Sequence, residues 1–557
     1  MLMIIDNLLD GQVTDPLKGK GVGSPRPPSS QAHDPGFFPF DPKPPSSTIA
    51  ARLKTAKGRN EATIAKLDKQ PSDEVSEKAW LETLEEVQKG WIFEDTDPQL
   101  DKVLVAHRFG LKQGSKTRVI DNCKSCSFNL TTGVPEKYRL HGVEFIAAFL
   151  LLAMRDPRSH GCKIRGRTLD LTAAYKQYAV HRSDRDVLRI GVKDPQQNRT
   201  RVYGVNSLPF GATGSVPSFL RCAAAFWLLG AKGLGLAWTN YFDDYPMFAK
   251  DDCAESADEV AADFFDLLSV LYAREGKKAT AFTEIFRALG LLFDLSRFGE
   301  GEVTIGHTPE RREELKATIE AILTADCLSH SEAESLRGRL HWFTSFLFGR
   351  RSSQALNVVS DWVNRGATHG RLSDDMKEAL TYLKDVALTA PPLKISRSLH
   401  KTFYIFTDGS LENHTACIGG ILHDDRGEPL SFFSIVLDSA AVKRLHEQSE
   451  HPIYEIELLG VWAALSIWQE CIHDSFCVCY LDNEAVRGAL VAARSSTLKG
   501  GLILEDCLKL EDSALCRPWF GRVPTHSNCA DDPSRGSFEH LTAKGVRRDS
   551  LASCWPF

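Results

Sequence analysis

The stretch TNYFDDYPMF, residues 239–248, decides the fold because two adjacent acids interrupt a run of aromatic and strand-forming residues. Strand formers on both sides of a polar pair are typical of a β-hairpin that carries the pair at its tip. Side chains alternate along a strand, so Asp243 and Asp244 point in different directions and do not both enter one core. The pattern predicts two carboxylates at the end of a hairpin.

A second stretch, TLDLTAAY at residues 168–175, carries Asp170 where a predicted strand runs into a turn. If that strand lies beside the hairpin, three carboxylates converge, and their mutual repulsion is costly without cations. Two Mg²⁺ ions roughly 3.5–4 Å apart are the usual means of holding such carboxylates for in-line phosphoryl transfer. An Asp-Asp pair alone is more often a solvated turn, so only the two stretches together favour a metal site.

Both stretches resemble catalytic motifs of reverse transcriptases. Residues 241–244 match their YxDD motif, and Asp170 followed five residues later by Tyr175 matches their first catalytic motif. Further segments in the order of that family are KTRVID (116–121), LPFG (208–211), GKK (276–278) and ALG (288–290). Among the subfamilies, the sequence looks closest to retrotransposon enzymes of the gypsy and DIRS type.

The resemblance implies a role for each matching residue. The metal ligands would be Asp170, Leu171 (through its carbonyl), Asp243 and Asp244. The residues that contact the nucleotide would be Lys112, Lys116, Arg118, Leu171, Tyr175, Phe210 and Gly211. Among these, the Tyr175 ring would crowd a 2′-hydroxyl and select deoxynucleotides, whereas the cations would neutralise phosphates. Lys277 would protonate the pyrophosphate, with Lys278 as the alternative.

Acids also stand at the ends of strongly apolar elements near the C-terminus. Asp408 follows the predicted strand FYIF, Glu457 lies beside the apolar stripe of a predicted helix, and Asp482 ends a further predicted strand. An acid in such a place needs a partner or a metal. The order DGS, ELLGVWAAL, DN and NCAD resembles ribonuclease H, which hydrolyses RNA paired with DNA using two metals. The metal ligands that it implies are Asp408, Glu457, Asp482 and Asp531, with Glu455 and Asp532 as open alternatives.

The length of 557 residues and the mixed patterns predict an α+β multidomain chain. The resemblance implies a right-hand polymerase of fingers, palm and thumb, followed by a helical connection and a ribonuclease H-like α/β domain. The predicted divisions are a disordered segment rich in Pro, Gly and Ser at 1–75, fingers and palm at 76–304, a helical thumb and connection at 305–395, the ribonuclease H-like domain at 400–545, and a C-terminal tail at 546–557.

The predicted function is that of an RNA-directed DNA polymerase, a nucleotidyltransferase, with a linked ribonuclease H endonuclease. The implied cofactor is Mg²⁺, two ions per active site, with Mn²⁺ as an alternative. The implied partners are an RNA template, a DNA or RNA primer, an RNA–DNA hybrid and deoxynucleoside triphosphates. Two alternatives are an inactive, domesticated relic of a retroelement that binds nucleic acid, and an RNA-copying RNA polymerase.

Charge, cysteine usage and hydropathy restrict the protein class. The net charge of −6 gives no general affinity for nucleic acid, but residues 105–200 hold about 18 Lys and Arg against about 8 Asp and Glu. The 14 cysteines form no disulfide framework, and the pair Cys123 and Cys126 lacks a second pair that would complete a zinc site. The longest apolar run, residues 145–154, is too short to span a membrane. With no signal peptide recognised, the expected location is intracellular, cytoplasmic and/or nuclear.

Overall fold

The alternation of strand-forming and helix-forming segments produces a mixed α/β fold. The computed structural model describes residues 42–556 apart from 114–115, 135–139, 348, 366–368, 399, 413–414, 448–450 and 552–554. One unit of the chain comprises residues up to 289 together with 294–300, and the other comprises 290–293 and 301 onwards. In the described part of the chain, no helix is long and apolar enough to cross a membrane.

The first unit combines a five-stranded sheet with a three-stranded one. Its strands are β1 (Ile92–Glu94), β2 (Leu104–Gln113), β3 (Lys116–Asn122), β4 (Ile164–Asp170), β5 (Leu188–Asp194), β6 (Arg199–Val205), β7 (Ala237–Trp238), β8 (Asp244–Lys250) and β9 (Ile285–Ala288). Its α-helices are α1 (Ile49–Leu53), α2 (Ala56–Lys69), α3 (Glu74–Gln88), α4 (Val143–Arg155), α5 (Arg182–Arg185), α6 (Ser215–Leu228) and α7 (Ala254–Leu267). The sheet orders are β1-β6-β5-β2-β3 and β4-β8-β7.

The prediction that residues 1–75 are disordered is wrong for the segment that forms helices α1 and α2. Leu67 is buried in the unit, and the Asn60 side chain donates to the carbonyls of Leu100 (2.8 Å) and Val103 (2.7 Å). The same side chain accepts a hydrogen bond from the backbone N–H of Val105 at 3.0 Å. Hydrogen bonds to residues distant in sequence therefore keep this segment in place, although it has few apolar residues of its own. Residues 1–41 lie outside the described part.

The small sheet of the first unit rests on two amphipathic helices. Strand β8 lies between β4 and β7 and is antiparallel to both. Helices α6 and α7 place large aromatic side chains against this sheet, among them the fully buried Phe219 and Phe265. Burying each such ring contributes roughly 1.5–3 kcal/mol. The packing fixes the strands that carry the predicted acids.

The second unit joins a helical region to a six-stranded sheet. Its strands are β10 (Leu291–Asp294), β11 (Glu302–His307), β12 (Cys327–Ser329), β13 (His369–Arg371), β14 (Leu393–Ser396), β15 (Thr402–Glu412), β16 (Thr415–His423), β17 (Pro429–Val436), β18 (Phe476–Leu481), β19 (Arg517–Arg522) and β20 (Arg547–Arg548). Its α-helices are α8 (Pro309–Ala325), α9 (His330–Thr344), α10 (Arg351–Asn364), α11 (Asp374–Thr389), α12 (Ser439–His446), α13 (Ile453–Ile467), α14 (Glu484–Ala492), α15 (Leu498–Ala514), α16 (Asp531–Ser534) and α17 (Glu539–Ala543).

The six-stranded sheet has the order β19-β18-β15-β16-β17-β20. Strands β15 and β18 are parallel neighbours, so their carboxyl ends meet at one edge of the sheet. Helix α13 packs on β15 and is apolar almost all round, as expected for a helix buried between a sheet and α15. Trp462 and Trp468 fill this core.

The predicted tail after residue 545 belongs to this domain. Strand β20 pairs in parallel with β17, and the Trp555 indole donates to the Asp438 carboxylate at 2.9 Å. The Trp468 indole donates to Asp549 at 3.0 Å. Buried tryptophan N–H groups need acceptors, and the segment after residue 545 supplies one of them.

Helix α10 and the turn before it are bound to the region of the six-stranded sheet inside the second unit. The Arg350 guanidinium bonds to both carboxylate oxygens of Glu511, at 3.0 and 2.6 Å. The Arg494 guanidinium forms a matching pair of 3.0 Å bonds with Asp361. Paired guanidinium–carboxylate bonds fix orientation as well as distance. The helical region and the six-stranded sheet are therefore joined by directional contacts.

Candidate active sites

The predicted acidic hairpin is present in the first unit. In the turn between β7 and β8, the Tyr241 N–H donates to the Asp244 carbonyl (2.9 Å), and the Asp244 N–H donates to the Tyr241 carbonyl (3.1 Å). Phe242 adopts a φ of 52°, the left-handed conformation that such a tight turn requires. The prediction of two carboxylates at a hairpin tip is confirmed.

Asp170 joins the hairpin acids through the register of the sheet. It ends β4 directly opposite Asp244 on β8, and the Leu171 N–H donates to the Asp243 carbonyl at 3.0 Å. Burial, reinforced by Asp243 and then Asp170, raises the pKa of Asp244 to about 7. Burial likewise raises the pKa of Asp243. The three acids converge as predicted and gain stability from nearby positive charge.

Lys278 supplies such a charge. Its ammonium group donates to both carboxylate oxygens of Asp170, at 2.6 and 2.7 Å. The preferred residue from the sequence was Lys277, whose side chain lies outside the described part. Spacing alone does not separate neighbouring lysines, because their side chains leave a turn in different directions. The described contact favours Lys278, the alternative.

A cavity of about 880 Å³ lies beside these acids. Its walls include the predicted nucleotide-binding residues Arg118, Leu171, Tyr175 and Phe210, together with Asp243 and Lys278. The Tyr175 ring packs edge-on against Phe210, with centroids 5.9 Å apart, and tilted against Phe219 at 5.0 Å. The Tyr175 ring, which is predicted to contact the sugar, thus lies between aromatic side chains and the cavity.

Of the other predicted nucleotide contacts, Lys112 and Gly211 do not line this cavity. Lys112 is exposed on β2 and does not line it. The Lys116 side chain lies outside the described part. Gly211 has a φ of 134°, and a Cβ atom there would lie 2.1 Å from the Asp121 carbonyl oxygen. The glycine is therefore required by the protein backbone beside it, which differs from the predicted approach to a nucleotide.

No pattern in the sequence singles out His141, which forms hydrogen bonds to the acidic hairpin at Asn240. The Asn240 backbone N–H donates to the ring Nδ1 of His141, and the His141 backbone N–H donates to the Asn240 carbonyl, both at 3.1 Å. The imidazole stacks on Phe145, with centroids 4.0 Å apart, and meets Trp227 edge-on at 4.4 Å. Burial lowers the pKa of His141 to about 4, so its Nδ1 stays an acceptor at neutral pH.

A second group of acids lies at the edge of the six-stranded sheet. Asp408 is on β15, Asp482 directly follows β18, and Glu457 is in the second turn of α13. Ligand oxygens of these three residues all lie within 4.8 Å of one another. Among the described residues, only this group of three brings metal-ligating side chains so close together. The hairpin acids are spread more widely.

Two glycines allow α13 to approach the strand that carries Asp408. A Cβ atom on Gly409 would lie 2.9 Å from the Glu457 nitrogen. On the helix, a Cβ atom on Gly460 would lie 3.2 Å from the Asp408 carbonyl oxygen. Backbone therefore rests almost directly on backbone here, and this contact fixes the separation of Asp408 and Glu457.

Neutral groups bond to the second acid cluster. The Ser534 hydroxyl donates to Asp408 at 2.5 Å, and the Asn483 amide donates to Glu457 at 3.0 Å. Burial, with smaller contributions from Asp482 and Asp408, raises the pKa of Glu457 to about 8, although the Asn483 bond opposes this. Burial also raises the pKa of Asp408 to about 6, although the Ser534 bond opposes this. The cluster resists full ionisation.

The open alternatives can be compared with this geometry. Glu455 accepts a hydrogen bond from Thr497 at 2.7 Å and takes no part in the cluster, whereas Glu457 does. Asp531, the predicted fourth ligand, is outside the group of three and pairs with Arg535 at 3.0 Å, one helical turn later. Asp532 lies 3.9 Å from His540. The structure thus favours Glu457 over Glu455 as a ligand, and Asp531 lies outside the group of three.

Both acid groups fit hard divalent cations. Carboxylate oxygens are the ligands that Mg²⁺ and Mn²⁺ prefer, and burial together with neighbouring carboxylates raises the pKa of Asp244 in one group and of Glu457 in the other. The residues suited to hold metal are Asp170, Asp243 and Asp244 in one site and Asp408, Glu457 and Asp482 in the other. Cys123 and Cys126 are buried free thiols and belong to no described metal-ligating group.

Comparison with known proteins gives similar solved structures but no sequence relative. No protein family and no curated protein matches the chain. The chain is similar to the foamy viral protease-reverse transcriptase dRH in complex with double-stranded DNA, with a TM-score of 0.45, 14% identity, and 92% of this chain and 77% of that chain covered. It is similar to the foamy viral protease-reverse transcriptase with double-stranded DNA (TM-score 0.45, 14% identity, 94% and 93% covered). A third similar structure holds that protein with an RNA/DNA hybrid (TM-score 0.44, 14% identity, 82% and 56% covered).

Proposed function

We propose that this chain copies an RNA template into DNA and cleaves the RNA strand of the resulting hybrid. One observation carries the proposal: Asp170 and Asp244 face each other across two strands, beside a cavity walled by Arg118 and Tyr175. That arrangement offers metal ligands, a phosphate-binding cation and a ring against the sugar in one place. The proposal extends to the predicted division into fingers and palm, thumb and connection, and ribonuclease H, and to a retroelement origin of the gypsy or DIRS type.

In the polymerase site, the protein's own residues bind and orient the nucleotide. Arg118, which lines the cavity, neutralises the triphosphate. Tyr175 stands where a 2′-hydroxyl would clash, and Lys278, in contact with Asp170, delivers a proton to the departing pyrophosphate. Mg²⁺ held by the three aspartates and the Leu171 carbonyl would supply charge neutralisation at the transferred phosphate.

In the nuclease site, Asp408, Glu457 and Asp482 would hold the cation, with Asp531 as the predicted fourth ligand. Ser534 and Asn483 orient two of these carboxylates through hydrogen bonds. Mg²⁺, or Mn²⁺ in its place, would polarise the scissile phosphate of the RNA strand. The described cysteines are all free thiols, which supports an intracellular setting for both reactions.

Primer extension on an RNA template tests the polymerase. The wild type should extend a primer with deoxynucleotides, prefer them to ribonucleotides, and lose at least about a hundredfold of this activity in Asp243→Asn. Asp263→Asn, an exposed acid on α7, is the matched control and should behave as the wild type. Equal extension by the wild type and Asp243→Asn would refute the assignment, and a preference for ribonucleotides would favour an RNA polymerase.

Cleavage of a labelled RNA–DNA hybrid tests the nuclease. Asp482→Asn should lose cleavage, while Asp425→Asn, an exposed acid of the same domain, should retain it. Each active-site variant should keep the other activity, because the two acid groups are separate. Binding of the hybrid without turnover in the wild type would identify a relic instead.

A further inference from the structure

A buried network of four charges lies in the wall of the nucleotide cavity. Arg108 on β2 bonds to Asp121 on β3 at 2.7 Å and to Glu86 on α3 at 2.8 Å. Glu86 also bonds to the Lys176 ammonium at 2.9 Å. Arg108, Glu86 and Asp121 are each at most 4% exposed. Two cations and two anions balance, so removing one member leaves an uncompensated buried charge.

The network reaches both aromatic residues of the cavity. Lys176 is adjacent to Tyr175 in the same short turn, Ala174–Gln177. Asp121 holds Phe210 through its backbone, because the Asp121 N–H donates to the Phe210 carbonyl at 2.8 Å. The rings of Tyr175 and Phe210 meet edge-on. One set of ion pairs therefore fixes the two backbones that carry this ring pair.

We propose that Glu86 is a positioning residue for nucleotide selection: by binding both Arg108 and Lys176, it sets the place of the Tyr175 ring and so the discrimination against ribonucleotides. The inference rests on the proposed polymerase function. Glu86 is the carboxylate that contacts both cations, and its own side chain lines the cavity wall. Without its charge, Lys176 loses its described partner and the turn that carries Tyr175 is released.

The test is the ratio of kcat/KM for a deoxynucleotide to that for the matching ribonucleotide in primer extension. Glu86→Gln preserves the size of the side chain and should lower this ratio about tenfold, with a raised KM and with kcat for the deoxynucleotide within about twofold of the wild type. The ratio does not depend on the fraction of active enzyme, so a loss of stability alone would not change it. Glu94→Gln, which breaks the exposed pair with Arg201 away from the cavity, is the matched control and should leave the ratio unchanged.

A double variant tests whether Glu86 acts through the ring. In a Tyr175→Val background, Glu86→Gln should cause no further loss of selectivity. Lys176→Gln removes the same link and serves in place of Glu86→Gln if that variant does not fold. The inference is overturned, and the proposed function is not, if Glu86→Gln extends primers like the wild type with an unchanged ratio. An equal loss of selectivity with and without Tyr175 overturns the inference in the same way. Failure of the wild type to extend any primer overturns the proposed function instead.

Discussion

The two acid groups meet the same electrostatic problem in different ways. In the first unit, Asp170 lies opposite Asp244 and bonds to the Lys278 ammonium. In the second, Asp408 and Glu457 lie with Asp482 within 4.8 Å, and their hydrogen-bond partners are a neutral hydroxyl and a neutral amide. One group is partly neutralised by a cation of the protein, and the other keeps its repulsion.

This difference indicates how each group should respond when its charge is altered. A carboxylate cluster without a cation gains stability when one member is protonated or replaced by an amide. A carboxylate bonded to an ammonium loses a favourable contact under the same change. The following experiments challenge this contrast, in order of decreasing expected effect.

Removing divalent cations should abolish both activities and so test what the groups share. With EDTA, primer extension and hybrid cleavage should each fall at least about a thousandfold, because neither Lys278 nor the neutral partners replace a divalent charge at the reacting phosphate. Adding Mg²⁺ in excess should restore both. Persistence of either reaction in EDTA would separate that acid group from metal chemistry.

Glu457→Gln should stabilise the second unit in EDTA at high pH. Glu457 has a pKa of about 8 when folded and an ordinary value near 4.5, so the folded state binds the extra proton and stability falls as pH rises between those values. The variant should remove this loss and gain roughly 2–4 kcal/mol at pH 9, with little change at pH 4. Hydrogen exchange of the α13 amides would measure it.

The counterpart of that change in the first unit is Asp170→Asn, which should give no comparable stabilisation because Lys278 loses its partner. An equal gain in both variants would show that Lys278 does not compensate the hairpin acids. A pH-independent effect of Glu457→Gln would contradict the raised pKa.

Two substitutions at His141 separate its hydrogen bond from its packing. His141→Asn keeps an acceptor near the position of Nδ1, whereas His141→Phe keeps the ring stacked on Phe145 and loses the acceptor for Asn240. The Phe variant should lose about tenfold in kcat for primer extension, since small displacements of catalytic groups are costly. The Asn variant should retain most of it. Hybrid cleavage, measured in the same preparations, should not respond to either.

Lys278→Met should have the smallest effect on stability. Its side chain is 58% exposed, so the ion pair with Asp170 contributes at most about 1 kcal/mol. Thermal unfolding in EDTA should show a slightly lower midpoint than the wild type, and Mg²⁺ should remove the difference. Lys102→Met, an exposed lysine of the same unit, is the control. A higher unfolding midpoint for Lys278→Met than for the wild type would show that Lys278 does not stabilise the hairpin acids.

Elements with strong local patterns were predictable from the sequence. From the sequence we expect strands over residues 429–436 and 476–481 and a helix over residues 453–471. Both strands have the expected bounds, and the second ends where the apolar run FCVCYL meets Asp482. Helix α13 begins at Ile453 as predicted but ends at Ile467, before the predicted Cys471. Helices α1 and α2 were missed because their sequence has few apolar residues and their order depends on distant contacts such as that of Asn60.

The acids were predictable, but most of their partners were not. Asp170, Asp243 and Asp244 stand out because acids interrupt strand-forming runs. Lys278 contacts Asp170 across 108 residues of sequence, and no local pattern selects it over its neighbour. Charged residues such as Arg108 and Glu86 are usually expected at the surface, and only the fold shows that the two are buried together.

The close approach of α13 to β15 at Gly409 and Gly460 sets the spacing of the second acid group. Because main chain lies against main chain there, the separation of Asp408 and Glu457 is set by backbone contact rather than by interlocking side chains. An engineer could therefore redesign the core around α13 for thermal tolerance while leaving the catalytic geometry intact. Adding a single methyl group at Gly409 would instead push the helix away from the strand, and we expect such a change to disturb the acid group in an otherwise well-folded domain.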